Sequence, residues 1–363
     1  RSTPKPSSAA SDVYKRQGFV MGSASSLILV LSGFGVLGYV LGFIISDVVQ
    51  FFIYVLTQRS LIGKCVSVNL DKALNGLKII LSLSLALLTS RFLDFLYNWF
   101  DRVLVLSLLG TYGLGVYSIA LRFASIFDTV GQSISTALTP YYGNFYGANG
   151  IEALRPRVKR ATKLISLTYT PLTMAAASLT PMLIPLIYGD KFLGSWPIAF
   201  AHLTCLALMG LIAAYKSIPL VVGARREIIT STSIRSFSSL TLELLFITMG
   251  LGALGVVFGK NAGTFLAFAY LYLTLFKKLE LEFDRKSYTS GILIGILILA
   301  LTLFTSIIEA QLQYLVPVFA LVVYLLLMKL FKPIDSDDIK IFREALSSKF
   351  GRIIDLIEDL LVR

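Results

Sequence analysis

The sequence predicts an all-α protein, a polytopic bundle of transmembrane helices. Three observations predict it. Of the 363 residues, 56% are hydrophobic and only 15% are charged, against about 25% charged in a soluble domain. Apolar runs of roughly 20 residues, each enough to cross a ~30 Å hydrocarbon core, recur along the chain and make about ten spans. Basic residues collect in alternate loops between those runs, as they do on the cytoplasmic side of a membrane protein.

The elements follow in order. Residues 1–17 are polar and Pro/Ser-rich, and Ser11 to Gln17 reads as a translated adaptor sequence. This leader is expected to be non-native or disordered, with the native reading starting near Gly18. Phe19–Leu56 is too long for one span and fits two, broken between Ser32 and Gly38. Gly33, Gly35 and Gly38 match GxGxxG, but a dinucleotide fingerprint needs a preceding strand and a βαβ unit, and neither is present. Gly38 and Gly42, like Gly291 and Gly295, read as small-residue helix contacts in lipid.

Further spans are expected at Leu77–Trp99, Tyr112–Leu138, Leu164–Tyr188, Pro197–Val222, Ile229–Met249, Leu251–Phe276, Gly291–Ile308 and Tyr314–Leu330. Asp101-Arg102 is a polar break between two of them, and the Tyr112 span closes on Pro140. Pro171, Pro181 and Pro185 fall within one span and predict a kink there. The chain thus divides into a leader (1–17), a helix pair (18–57), six helices (74–277), two more (289–331) and a tail (333–363). In the tail, Asp335 to Asp338 offer an N-cap and an acidic first turn. Apolar residues from Ile339 to Leu360 then recur at helical spacing, which predicts an amphipathic helix on the cytoplasmic leaflet or against the bundle.

The loops fix an orientation. One alternate set holds Arg59, Lys64, Lys72 and Lys78, then Arg155 to Lys163, then Arg225, Arg226 and Arg235, then Lys277, Lys278, Arg285 and Lys286, and the tail. The other holds only Arg102, Lys191 and Lys260. The lopsided split predicts a multi-pass protein of the cytoplasmic membrane with a cytoplasmic C-terminus.

Composition also excludes chemistry. There is one histidine, His202, and the two cysteines, Cys65 and Cys205, are far apart with no CxxC or HExxH spacing. No metal, cofactor, disulfide framework or catalytic residue is expected. The net charge of +12 is dispersed between apolar runs, not gathered on one face, so no nucleic-acid partner is expected. The ionisable residues inside apolar runs are Arg91, Asp94, Arg122, Asp128, Lys216 and Glu243. A charge at mid-bilayer costs roughly 2.5–3.5 kcal/mol on insertion scales, so such residues usually face a bundle interior or a wet cavity. Arg91 and Asp94, three apart on one helical face, are placed to pair. Arg91, Arg122 and Lys216 come from three spans, and their surplus positive charge argues for an anionic cargo, since arginine's planar fork grips phosphate oxygens in pairs.

Asp101-Arg102-Val-Leu-Val-Leu-Ser-Leu-Leu-Gly110 and Tyr112-Gly113-Leu-Gly-Val-Tyr117-Ser118-Ile-Ala-Leu-Arg122 resemble the seventh-to-eighth-helix signature of polysaccharide flippases. These are the Wzx-type members of the multidrug/oligosaccharidyl-lipid/polysaccharide (MOP) exporter superfamily. Pro185-Leu-Ile-Tyr188-Gly189-Asp-Lys-Phe192 resembles the loop after the family's ninth helix, and Lys332 to Asp338 its C-terminal tail. The resemblance implies a MATE-like fold of two six-helix lobes plus two C-terminal helices. On it, 18–57 is the last helix pair of the N-terminal lobe, 74–277 the C-terminal lobe, and the first four helices are missing. It implies alternating-access transport, without covalent chemistry, of a polyprenyl-pyrophosphate-linked oligosaccharide for cell-surface polysaccharide. Arg91, Arg122 and Lys216 would hold the pyrophosphate and Asp94 would tune Arg91; aromatics such as Tyr117 either stack on sugars or pack in the core, and the sequence leaves both readings open. The partners implied are the lipid-linked oligosaccharide, the bilayer, and glycan polymerase or assembly machinery. The alternatives are a cation-coupled multidrug exporter or a peptidoglycan-precursor flippase of the same superfamily. A membrane glycan polymerase or ligase ranks below these, because every outer loop here is short.

Overall fold

In the computed structural model, residues 20–62, 70–308 and the helical positions 322, 324 and 326 are described, and among them there is no strand. The expected leader, most of the last span and the tail helix lie outside the described residues. The chain divides into two compact units, 1–83 and 84–363.

In the first unit, α1 (20–29) runs through a π turn, Val30–Phe34, into α2, Gly35–Ile62. Gly33 (φ 92°) and Gly35 (φ 53°) lie in the expected break. The chain turns back on itself there. A Cβ on Gly42 would meet the Ser26 backbone nitrogen at 2.5 Å, and one on Gly22 the Ser46 Cβ at 2.4 Å. Only glycine lets the two limbs pack this closely, as the small-residue reading of Gly42 requires.

The second unit holds most of α3, Leu70–Ser178. As one rod, 109 residues would be about 160 Å long at 1.5 Å per residue, many times the hydrocarbon thickness. Instead it has non-helical glycines at Gly110 (φ 72°) and Gly150 (φ 69°). Both have a φ that a residue with a Cβ adopts only under strain, so the chain reverses there. Contacts across each reversal are symmetric about it: Tyr117 on Asp101, and Tyr169 on the Phe127 carbonyl. The three limbs are 70–109, 111–149 and 151–178. Among the described residues, three stretches of helix could cross a membrane by length and composition: Val20–Phe52, Arg91–Ser178 and Arg225–Phe276. A fourth is the bent pair Ser195–Leu208 with Ile212–Val221. The first three are each folded back at glycines, so each supplies more than one limb.

Two expected boundaries move. The middle limb does not end at Pro140 but continues to 149. One lost backbone donor does not stop a helix whose later residues are anchored by packing, here Tyr142, which is fully buried. The expected proline kink lies at Leu179, between the last limb and α4 (Thr180–Tyr188), with Pro181 in α4's first turn. A 3₁₀ turn, Asp190–Phe192, leads to α5, Ser195–Leu208. The short helices α6 (Ile212–Tyr215) and α7 (Ile218–Val221) follow a 55° bend. Thus the expected Pro197–Val222 span is broken, and Lys216 sits between its pieces.

Helix α8 (Arg225–Phe246) and α9 (Gly252–Leu271) form a hairpin around a π turn, Ile247–Leu251, with Gly255, Gly259 and Gly263 of α9 against α8. Helix α10, Arg285–Ile308, packs Gly291 against the Ser166 carbonyl and Gly295 against Met174. Two apolar cores result. One centres on Tyr117, Phe123, Ile184 and Ile198, the other on Tyr142, Val158, Tyr215 and Phe276. Two basic turns of the predicted cytoplasmic set meet at the second: Arg155 donates to the Leu279 carbonyl at 3.0 Å and pairs with Glu280 at 2.8 Å.

Candidate functional site

Residues 93, 94, 97 and 101 lie on one face of α3's first limb, and each contacts the α8–α9 hairpin. Ser236 donates to the Leu93 carbonyl at 3.0 Å, Arg235 pairs with Asp94, and Tyr97 shares a hydrogen bond with Thr264 at 2.9 Å. Asp94 therefore pairs with Arg235, 141 residues away, and not with its helical neighbour Arg91, which is exposed. A facing helix presents its guanidinium end-on, whereas two side chains three apart must both bend along one helix to meet. Arg235 also lies over the Tyr97 ring, 4.7 Å from its centroid. The Asp94 and Arg235 side chains are 35% and 23% exposed, which discounts the pair. Replacing Arg235 with Gln is expected to cost about 1 kcal/mol in a detergent melt. An Asp94→Arg/Arg235→Asp swap should recover most of that, and a swap no better than the single change would show that the pair contributes nothing.

Lower on the same face, Asp101 is fully buried and accepts from Lys260 Nζ at 2.5 Å, Tyr117 Oη at 2.8 Å and the Arg102 amide at 2.7 Å. Two sequence expectations change here, and one reading left open is decided. Asp101-Arg102 is not a polar break but continuous helix. Lys260 is not an outer-loop charge but a buried residue of α9. Tyr117 is not open to a sugar but fully buried, its hydroxyl spent on Asp101. Lys260 also lies over the Tyr97 ring, 4.8 Å from the centroid. Glu243, nearby on α8, is buried and accepts from Ser239 at 2.5 Å.

His202 on α5 joins two other helices. Asn261 Nδ2 donates to the Val257 carbonyl at 2.8 Å and lies 3.0 Å from His202 Nδ1. An amide nitrogen only donates, so Nδ1 is the acceptor, and the neutral ring carries its proton on Nε2, 3.4 Å from Asp128. The one histidine is thus a buried, hydrogen-bonded group.

The predicted cations are placed differently from the acids. Arg91, Arg122 and Lys216 are exposed, and none makes an ion pair among the described residues. Lys216 lies within electrostatic reach of Arg91, Asp94, Asp128 and Arg235, so Arg91, Asp94 and Lys216 share one neighbourhood. No contact brings Arg122 into it among the described residues. Arg122 instead belongs to the face of the middle limb that points away from the core. Ala120, Phe123 and Ala124 are buried there, while Arg122, Thr129, Gln132, Ser133 and Thr136 are exposed. Beside Thr129, Gln132, Ser133, Thr136 and Ala137 opens a cleft of about 490 Å³.

Arg235 and Lys260 were hidden from sequence reading because they were counted with loop charges. The signal was available: both fall inside or at the edge of apolar runs that were themselves read as spans.

The family described as polysaccharide biosynthesis protein matches residues 13–197, just over half of the chain. The chain belongs to that family. No curated protein matches it. Among solved structures, it is similar to one titled "Lipid II flippase MurJ, inward closed conformation", with a TM-score of 0.63 and 16% identity over 86% of this chain. The match covers 66% of that structure's chain, so this member of the family spans slightly less than two thirds of its length. At that identity the likeness shows the fold alone, an all-α helical fold as the sequence predicts.

Proposed function

We propose that this chain belongs to a flippase that moves a polyprenyl-pyrophosphate-linked oligosaccharide across the cytoplasmic membrane by alternating access, for cell-surface polysaccharide. The observation that carries the reading is the set of exposed cations that make no ion pair among the described residues, Arg91, Arg122 and Lys216, in a membrane protein of the polysaccharide biosynthesis family. The acids nearby are engaged: Asp94 with Arg235, Asp128 with His202 and Asp101 with Lys260. Exposed cations left over within apolar runs call for water and an anion, and a pyrophosphate supplies the anion. Arg91 and Lys216 hold it from one side and Arg122 from another as the cargo moves. Asp94 tunes the cluster through Arg235 and through its proximity to Lys216.

The C-terminus is cytoplasmic on this reading, since Arg155 joins the basic turns at 151–163 and 277–286 on one side of the molecule. Glycan assembly enzymes such as a polymerase are partners on the opposite face.

Arg91→Ala and Arg122→Ala, each in the protein expressed from its complete gene, are expected to abolish surface glycan in a flippase-deficient strain while membrane expression stays unchanged. Wild-type glycan in both strains would remove the basic groups from the mechanism.

A further inference from the structure

We propose that the C-terminal half of the outward face of α3's middle limb, from Thr129 to Thr136, is the subsite for the sugar part of the cargo, with Arg122 toward the other end of that face among the basic groups that take its pyrophosphate. The proposal rests on the flippase reading. Arg122, Ser125, Thr129, Gln132, Ser133 and Thr136 are spaced three or four apart or adjacent, so they form one stripe along the helix. The opposite face is buried against the core through Ala120, Phe123 and Ala124. A helix face pointing away from its bundle meets lipid or water. The outward faces of other helices here carry large apolar groups, such as Phe265 at 57% exposure and Leu109 at 38%. The stripe carries instead a guanidinium, an amide and four hydroxyls, with exposed Ile126 and Val130 along its edge. A cleft lies beside its C-terminal half.

The hydroxyls are not free donors. Ser125 donates to the Arg122 carbonyl at 2.6 Å, Thr129 to Ser125 at 2.7 Å, Ser133 to Thr129 at 2.8 Å and Thr136 to Gln132 at 2.9 Å. With their protons turned inward, these oxygens present lone pairs to the cleft. Gln132 adds both an acceptor and two donors. The cleft is therefore rich in acceptors and has no charge of its own among Thr129, Gln132, Ser133 and Thr136. A phosphate, all acceptor and negative, is poorly matched to it. A neutral polyol, with many O–H donors, is well matched. The charge needed for the anionic end lies elsewhere on the stripe: Arg122 precedes Gln132 by ten residues, about 15 Å along the helix. One face thus offers a cation at one end and a carbohydrate surface at the other, the order of groups in a glycan joined to a pyrophosphate.

The test uses the full chain in membranes, with Cys65 and Cys205 replaced by Ser and one cysteine returned at a time: Gln132→Cys, Thr136→Cys, Ser125→Cys or Phe265→Cys. A membrane-impermeant thiol reagent reports which positions are wet. Because the thiolate is the reactive form, the Gln132→Cys and Thr136→Cys variants should label at least about tenfold faster than the Phe265→Cys variant. The probes are farnesyl pyrophosphate and the same compound carrying a disaccharide. The expected result is protection of the Gln132→Cys and Thr136→Cys variants by the glycosylated probe only. The Ser125→Cys variant, one turn from Arg122, should be protected by both. Equal protection of the Gln132→Cys variant by both probes would assign the face to the carrier or its phosphates and overturn the proposal. Labelling at position 132 without protection, with position 125 protected, would mean a wet wall only. Labelling as slow as at position 265 would mean a lipid-facing helix. Either result sinks the sugar subsite and leaves the flippase reading standing. Absence of protection at every position, together with absent glycan export by the unmodified protein, overturns both.

Discussion

Lys260→Met is expected to destabilise the protein by about 3–5 kcal/mol, the usual effect of leaving one member of a buried ion pair uncompensated. The geometry places this pair at the severe end. Asp101 is fully buried and the Lys260 side chain is 10% exposed, so neither charge has water to fall back on. Without Lys260, the carboxylate keeps only the Tyr117 hydroxyl and the Arg102 amide as donors. The change should appear as a lower midpoint in thermal unfolding of the detergent-solubilised protein, with a smaller folded yield. The double variant Lys260→Met/Asp101→Asn discriminates causes. An asparagine oxygen still accepts from the Arg102 amide, its NH₂ group meets the Tyr117 oxygen, and neither member of the pair carries a charge. It should therefore recover most of the loss. A double variant no more stable than the single one would show that Lys260 acts through packing along Tyr97, and not through its charge.

Gly259→Ala should be nearly as damaging through a different mechanism. A Cβ at that position would lie 2.4 Å from the Glu243 backbone nitrogen and 2.7 Å from the Leu242 carbonyl carbon. Backbone atoms cannot rotate away as a side chain can, so α8 and α9 must separate. Overpacking of this kind typically costs 1–3 kcal/mol. Moving the hairpin also disturbs Arg235, Glu243 and Lys260, whose partners depend on its position. Gly143→Ala is the control, since a Cβ there meets nothing within 4 Å. In the helical middle limb it should be neutral or stabilise by up to about 1 kcal/mol, because alanine loses less backbone entropy than glycine. Equal melting of the two alanine variants would mean that α8 and α9 have room to relax, and that close approach is not what glycine supplies at position 259.

Much of the architecture is legible in the residues alone, and for specific reasons. Membrane class follows from apolar run lengths because a bilayer has a fixed thickness. The reversal at Gly33 and Gly35 was foreseen from a cluster of glycines within an apolar stretch too long for one span. Gly42, Gly291 and Gly295 were read correctly as close contacts, since lipid-embedded helices associate through small residues. The Gly255, Gly259 and Gly263 stripe repeats the i, i+4 spacing of Gly291 and Gly295 twice over and carries the same signal. The positions of Arg91, Arg122 and Lys216 are legible as charges in apolar runs, and all three are exposed.

The pairings were not legible. Arg91 and Asp94 looked like partners because local spacing is all that a sequence displays, yet Asp94 goes to Arg235 and Asp101 to Lys260, 141 and 159 residues away. For Tyr117 the residues alone leave sugar stacking and core packing both open, and its buried hydroxyl on Asp101 decides for the core. By itself, the sequence determined an all-α membrane protein with glycine reversals and an excess of cations in its spans, because hydropathy, run length and backbone freedom are properties of short stretches of chain. Only the tertiary structure decided which charges pair with one another and which stay exposed. Those choices depend on the rotation and register of helices far apart in the chain, which the close approach at Gly259 and Gly263 sets and local periodicity does not encode.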